Sequence, residues 1–522
     1  MQEVSSQWKA QHNNALLNET FVEVSLNISD PLALLGAEAQ DNGALYISNV
    51  SQIMERGDDL PTPYCTLEQN LWCLDGNRKA LGDGEVGSNG YIGTELSDDT
   101  CLFKRYPIVT LELSQIATRI IPGITIVWSK TYGEFASTFS VVAYNGDTIL
   151  AEREVTDNKA VTSYVFVDIE GYDRIDIIVK KWCLPHHRAR MENVIVGLTK
   201  VYSKTDLFSY SHSQSVDPVS TSLPKNEIKF SIDNVGGEYN PYNPNGIAQY
   251  FMQRQEVKVR YGLKLDDKTV EWINGGTFYL SEWYAKQNDI TAEFTARDVL
   301  EFMSAVRPAE ANLPSSRRSL HDLADAILTE ANIPTGWIIT DELQSIYTNA
   351  PLPSDTYANL LQLIANAGEC VLYQDREGVL RIERLGNTIT DYEINSFNSY
   401  SKSEITLSKP IKEVGVKVYS YTSATESTTR EIYNIVGTEG EIITVDNPLV
   451  TDEDRALSLA KWLSTHLGHR ASLDFSWRVD VRLDALDIVK NENTYSSSKV
   501  RMTDVEFRYN GAFTGTGKGK VI

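Results

Sequence analysis

Short runs in which apolar and polar residues alternate, separated by turn-forming residues, recur along most of this chain and constrain its fold more than any other feature. Phe21-Val-Glu-Val-Ser-Leu-Asn-Ile-Ser29 alternates with period two, the pattern of a half-buried strand. From about Asp41 to Lys200 such runs are dense: Ile108–Leu113, Ile124–Trp128, Thr138–Tyr144, Ser163–Ile169 and Arg174–Val179. Asn145-Gly146-Asp147 separates two of them and predicts a tight hairpin, because Asn and Gly tolerate positive φ. Many short strands at close spacing predict a β-sandwich or jelly roll over this region.

The polar stretch Tyr210–Asn226, rich in Ser and Pro, predicts a linker, after which strands resume at Ile228–Ile232. Gly236–Gly246 carries glycines and prolines that break both periods, and predicts an ordered loop anchored by Tyr239 and Tyr242. Strands are expected at Gln255–Tyr261, Gly276–Trp283 and Ile290–Ala296, then a helix from near Asp298. The period then changes. Leu320, Leu323, Ala324, Ile327, Leu328 and Ala331 fall at helical spacing behind Ser319 as N-cap, with Pro334 as stop. Ser354–Ala367 repeats the pattern, and Cys370–Glu383 reads as a hairpin turning at Asp375–Gly378. Ser403–Val445 is β again, Thr451 opens a helix through about His466, and strands from Ala471 to Tyr509 follow. The class is α+β with strands dominant.

At 522 residues the chain exceeds one hydrophobic core, so three or four domains are expected. A net charge of −23 argues against a surface that neutralises phosphates or anionic lipid, so stable nucleic-acid binding is not expected. Neither a secretion signal nor a stretch approaching a membrane span is read in the sequence. Five irregularly spaced cysteines indicate neither a disulfide framework nor a zinc ribbon and fit synthesis in a reducing compartment.

Catalytic and metal motifs stay at background. Gly511–Gly519 resembles a phosphate-binding loop but its spacing fails, and Lys518 is followed by Gly. His466 and His469 have no acidic residue placed between them as zinc proteases require and read as surface or capping groups. Cys183-Leu-Pro-His186-His187 is too small a cluster for a metal. No Gly-x-Ser-x-Gly elbow occurs, and abundant carboxylates single out no pair. The aromatic residues are more informative. Trp72, Tyr91, Trp128, Tyr132 and Trp182 offer flat faces for stacking sugar rings, with Asp75, Asn77, Glu95, His186 and Arg188 as polar neighbours. Trp128, within an apolar run, reads equally as core, as does Trp72, and Trp182 is balanced between the two readings.

Residues 206–522 resemble tail-hub or baseplate-hub proteins of tailed bacteriophages, of the late control protein D type. The resemblance is carried by Phe230–Pro241, Val257–Gly262, Gly276–Leu280 followed by Thr295–Leu300, Leu360–Ala367 before the Gly378–Ile382 hairpin, the helix Ala456–Leu467, and the closing Leu486–Val489 and Phe513–Gly515. Residues 41–200 are similar to a discoidin, or coagulation-factor type C, module of the carbohydrate-binding class, through Leu74–Gly76, Ile108–Leu113, Phe139–Tyr144 and Arg190–Gly197.

The resemblances imply first hub strands in 1–40, an inserted module in 41–205, a hub β-domain in 206–310, a helical and hairpin part in 311–395 and a second hub β-domain in 396–522. They imply tube-like β-barrel domains in a homotrimer that continues the tail tube, in a virion made in the host cytoplasm. Implied partners are tail-tube and distal tail proteins, a tape-measure protein, and tail fibres or tip proteins. No chemistry and no cofactor is implied, apart from room for a structural calcium ion in the module. Host glycans would bind through Trp182, His186, His187, Arg188, Trp72 and Tyr91. The alternative from another class is a surface carbohydrate-processing enzyme with a binding module, which needs paired carboxylates in one cleft of residues 206–522.

Overall fold

The computed structural model describes the chain except residues 13–17, 30–36, 55–63, 70, 73–77, 80–88, 119, 244–245, 286–289, 479 and 493–496. Strands dominate, at 49% of the chain against 14% helix, and they form several sheets. The chain divides into two compact units. One comprises Ser25–Lys200 and Ile247–Glu256; the other comprises Met1–Val24, Val201–Gly246 and Val257–Ile522.

In the first unit an antiparallel sheet runs in the order Glu38–Asp41, Ile108–Ala117, Tyr172–Trp182, Ala136–Asn145, Thr148–Val155. A second sheet joins Asn193–Ile195, Ile121–Val127 and Thr162–Ile169, and Arg188–Met191 pairs with Tyr91–Leu96. Val109, Leu111, Phe139, Val141, Ile175 and Ile177 from one sheet share a core with Ile124, Ile126, Val165 and Val194 from the other, making a β-sandwich. The expected hairpin forms at Gly146-Asp147, where Asn145 pairs with Thr148 and Gly146 has φ +56°.

In the second unit a sheet runs through Val270–Ala285, Thr291–Arg297, Lys225–Asp233, Leu207–Ser215, Ser497–Tyr509, Phe513–Val521, Ala471–Trp477 and Glu404–Leu407. Ile488–Glu492 pairs with Ser497–Tyr509 and, in parallel, with Ile389–Ile394. The stretch 210–226 is therefore no linker: its first part is a strand within this sheet, with Tyr210, His212 and Gln214 turned inward and buried. Period two is present, but the inward positions are polar, which is why the sequence reads as exposed.

The helical part follows the expected period. Leu320–Ala331 is capped by Ser319, which accepts from the Asp322 amide, and closes on Asn332 in the left-handed region. Tyr357–Ala367 is capped by Thr356 rather than beginning at Ser354, and Glu453–Gly468 by Asp452 rather than Thr451. The expected helix at Asp298 is one short 3-10 turn, Val299–Met303, with the Asp298 carboxylate on the Leu300 amide. These helices share a core with Val414, Val416 and Val418 of the strand Ile411–Tyr421. Of the two loop tyrosines, Tyr239 is buried and bonded to the Tyr202 hydroxyl at 2.9 Å, whereas Tyr242 points to solvent and anchors nothing.

Candidate functional site

Of the six aromatic and basic residues expected to hold a glycan, Trp182, His187 and Arg188 meet in a buried charge cluster of the sandwich. The strand Tyr172–Trp182 delivers Trp182 fully buried. Its indole N–H donates to Glu134 Oε2 at 2.8 Å, and its ring meets Trp128 edge-on at 6.0 Å. Trp128 in turn donates to Ser163 Oγ at 2.8 Å. Trp182 thus presents no face to a ligand; the packing of the two indoles occupies it.

Glu134 Oε1 also meets His187 Nδ1 at 2.8 Å, and Glu134 Oε2 lies 3.7 Å from Arg190. Arg190 pairs through both terminal nitrogens with the Glu68 carboxylate and lies 5.0 Å above the Tyr132 ring. The Arg188 amide donates to Glu68 Oε1 at 2.7 Å, while the Arg188 guanidinium reaches the Thr94 carbonyl. Burial opposes ionisation of Glu68, yet Arg190 beside it holds the carboxyl below its ordinary pKa. Two carboxylates and two guanidiniums so arranged cross-brace the chain at three distant points, residues 68, 134 and 187–190.

Tyr91 is buried, with its hydroxyl donating to the Gly43 carbonyl at 3.3 Å. His186 stands outside the cluster at φ +59°, its Nε2 2.9 Å from Asp99 at the surface. Trp72 is the large ring left open, 52% exposed. Asp75, Asn77 and the Leu74–Gly76 segment lie outside the described residues. Of the six predicted residues the structure thus gathers His187 and Trp182 on Glu134 and Arg188 on Glu68, and leaves Trp72 and His186 accessible.

A second polar centre, missed in the sequence, lies inside the other unit. The Tyr210 and Tyr261 hydroxyls are 2.7 Å apart, Tyr261 is 2.8 Å from His212 Nδ1, and His212 Nε2 is 2.8 Å from Asn226 Oδ1. Phe278 and Phe507 box the imidazole edge-on. Burial pushes His212 down to about 4, so it stands neutral, accepting at Nδ1 and donating at Nε2. Gln214 continues the chain to Asp484 at 3.1 Å, and Asp484 receives Arg376 Nε at 2.7 Å. Arg376 further donates to the Val481 and Leu483 carbonyls at 2.7 and 2.9 Å and to Asn274 O at 3.0 Å. One guanidinium at the hairpin turn thereby ties Val371–Glu383 to the sheet.

A cleft of about 380 Å³ opens beside this network. Most of its carboxylates are committed: Asp484 to Arg376 and Gln214, Asp375 to Arg381, Glu383 to Tyr373, and Asp487 to the Asp484 amide, while Glu377 is exposed at its rim. Asp298, also lining it, is pushed up to about 7 by burial while capping its 3-10 turn. Among the described residues no group of three or more His, Cys, Asp and Glu side chains is placed to hold a metal ion.

No family model and no curated protein matches this chain. Solved structures do. A tail protein from Neisseria meningitidis MC58 is 11% identical over 62% of this chain and 93% of that one, with a TM-score of 0.43. The 43 kDa tail protein of prophage MuSo2 from Shewanella oneidensis is 12% identical over 61% and 94%, with a TM-score of 0.42. Prophage tail protein gp18 from Listeria monocytogenes EGD-e is 11% identical over 62% and 91%, with a TM-score of 0.38.

Proposed function

We propose that this chain is a structural component of a phage tail tip, or of a phage-tail-like particle, acting as a homotrimeric hub without catalytic turnover. Support comes first from the order of the hub-like sequence segments. Phe230–Asp233, Gly276–Leu280 and Thr295–Arg297 lie on neighbouring strands of one sheet, in a unit distinct from the sandwich. The observation that carries the reading is the end of that sheet. Among the described residues Glu404–Leu407 pairs with Ala471–Trp477 on one side only, all four of its residues are exposed, and Ile405 and Leu407 project from one face at 61% and 67% exposure. An uncovered apolar edge invites a partner strand, and a second copy of the chain, set head to tail in a closed ring, supplies one without leaving an edge free. Light scattering is expected to give three times the chain mass for the wild type and a single chain mass for Leu407→Lys. A wild-type monomer at micromolar concentration rejects the hub.

On this reading the sandwich is a discoidin-like module that touches host-surface glycans. Trp72 supplies the stacking face, and His186 a polar contact. Glycan-array binding that Trp72→Ala abolishes without altering unfolding supports this assignment; an array without signal removes it and leaves the hub reading standing.

A further inference from the structure

Four arginines among the described residues are buried: Arg190, Arg376, Arg482 and Arg501. Three hold a carboxylate, Arg190 on Glu68, Arg376 on Asp484 and Arg482 on Asp480. Arg501, 4% exposed, holds none among the described residues. It donates to the Leu486 carbonyl at 3.3 Å and to Asn387 Oδ1 at 3.0 Å, and its Nε has no partner. Burial lowers its pKa with no opposing charge to restore it. A buried cation without a counter-charge is costly, and this one stands in a chain with 71 carboxylates to draw on.

Its surroundings add positive charge. Lys520 lies directly opposite Arg501 on the adjacent strand, a like-charge pairing that destabilises a sheet. His466, in the last turn of Glu453–Gly468, and His469 just beyond it both feel Arg501 and Lys520. Burial first, then Arg501, His469 and Lys520, drive His466 down to about 4. The carboxylate acting on His466, Asp217, is taken up by the Val219 and Thr221 amides. Arg501 and Lys520 thus stand side by side with no ion pair to either among the described residues, His466 and His469 lie within their electrostatic reach, and the carboxylate that opposes them at His466, Asp217, is already bonded to backbone amides.

We propose that Arg501, Lys520, His466 and His469 form a binding site for a tetrahedral oxyanion of the phosphate or sulfate class. The free Nε edge of Arg501 offers its donor, Lys520 a mobile point charge, and the imidazoles two further N–H groups once protonated by the bound anion's field. The anion turns the like-charge strand pair from a liability into a clamp between Ser497–Tyr509, Phe513–Val521 and the helix end.

Inorganic phosphate is the probe. Its ³¹P resonance is expected to broaden saturably with the full-length protein, and phosphate or sulfate to raise the melting temperature above chloride at equal ionic strength. Lys520→Gln, on a half-buried strand position, and Arg501→Gln are expected to weaken binding by about tenfold or more. Lys518→Gln, whose lysine already pairs with Asp474 at 3.4 Å, leaves it unchanged. If Arg501→Gln fails to fold, Lys520→Gln and the double change His466→Gln, His469→Gln decide. Absent broadening, equal affinity in those variants, or an equal shift with chloride overturns the site; a melting shift with phosphate but not with sulfate narrows it to the phosphate class.

Discussion

Glu68 and His212 show how far single buried polar groups hold this molecule. Removing one partner of a buried ion pair leaves the other uncompensated, so Glu68→Gln, which strips Arg190 of its carboxylate, is expected to cost the sandwich about 3–5 kcal/mol. Urea unfolding followed by tryptophan fluorescence reads this, since Trp128 and Trp182 sit in that core. His212 and Asp298 make opposed pH predictions. Between pH 4 and 6.5 the unfolded chain binds a proton at His212 that the folded chain refuses, so this contribution rises with pH and is complete above 6.5. Between pH 3.8 and 7 the folded chain keeps a proton on Asp298 that the unfolded chain releases, so that contribution is complete below 3.8 and is lost as pH rises through 7. Relative to wild type, His212→Gln is expected to lose the rising component, roughly 3 kcal/mol across its window, and Asp298→Asn the falling one, roughly 4 kcal/mol. Melts at pH 4, 5.5 and 7 check the crossing. The sequence misleads at Trp182 for a physical reason. Ile175, Ile177 and Val179 point inward with period two, which sends residue 182 outward; register shifts opposite Ala136–Phe139 reset the parity and bury the indole. His187 was equally illegible, because its partner Glu134 lies 53 residues upstream.

At the scale of elements, what the sequence displayed was apolar periodicity, and what it concealed was polar periodicity. The sandwich strands and the helices Leu320–Ala331 and Tyr357–Ala367 carry apolar stripes and were legible to within a few residues. So was the hairpin at Asp375–Gly378, where Gly378 takes φ +87°. The strand Leu207–Ser215 was not, because Tyr210, His212 and Gln214 find partners in Tyr261, Asn226 and Asp484 from elsewhere in the chain. Two glycines separate backbone strain from collision. Gly146, at φ +56° with open space around it, is expected to lose about 1 kcal/mol as Gly146→Ala. At Gly123, φ +141°, an added Cβ lands 1.9 Å from the Val165 carbonyl oxygen, so Gly123→Ala forces the strand pair Ile121–Val127 and Thr162–Ile169 apart and costs more than the roughly 1–3 kcal/mol of strain alone. Denaturation midpoints of the two variants, compared side by side, test the order.

For the molecule as a whole, the two units differ in how chain order maps onto structure. The sandwich core runs from Ile53 to Val196 without calling on other parts of the chain, so a fragment of residues 37–200 is expected to fold alone and to unfold in one transition. A fragment lacking dispersed amide resonances would contradict this. The other unit is assembled from three separated pieces. Within it the Tyr509 hydroxyl donates to the Thr20 carbonyl at 2.9 Å across 489 residues, and Arg478 donates to the His12 carbonyl at 2.8 Å. Those contacts give the protein a timetable. At about 5–20 residues per second, a ribosome that has made Thr20 delivers Tyr509 roughly half a minute to a minute and a half later. The sandwich can finish folding while still tethered, whereas the opening segment must wait for the last strands to emerge before its contacts at Thr20 and His12 close.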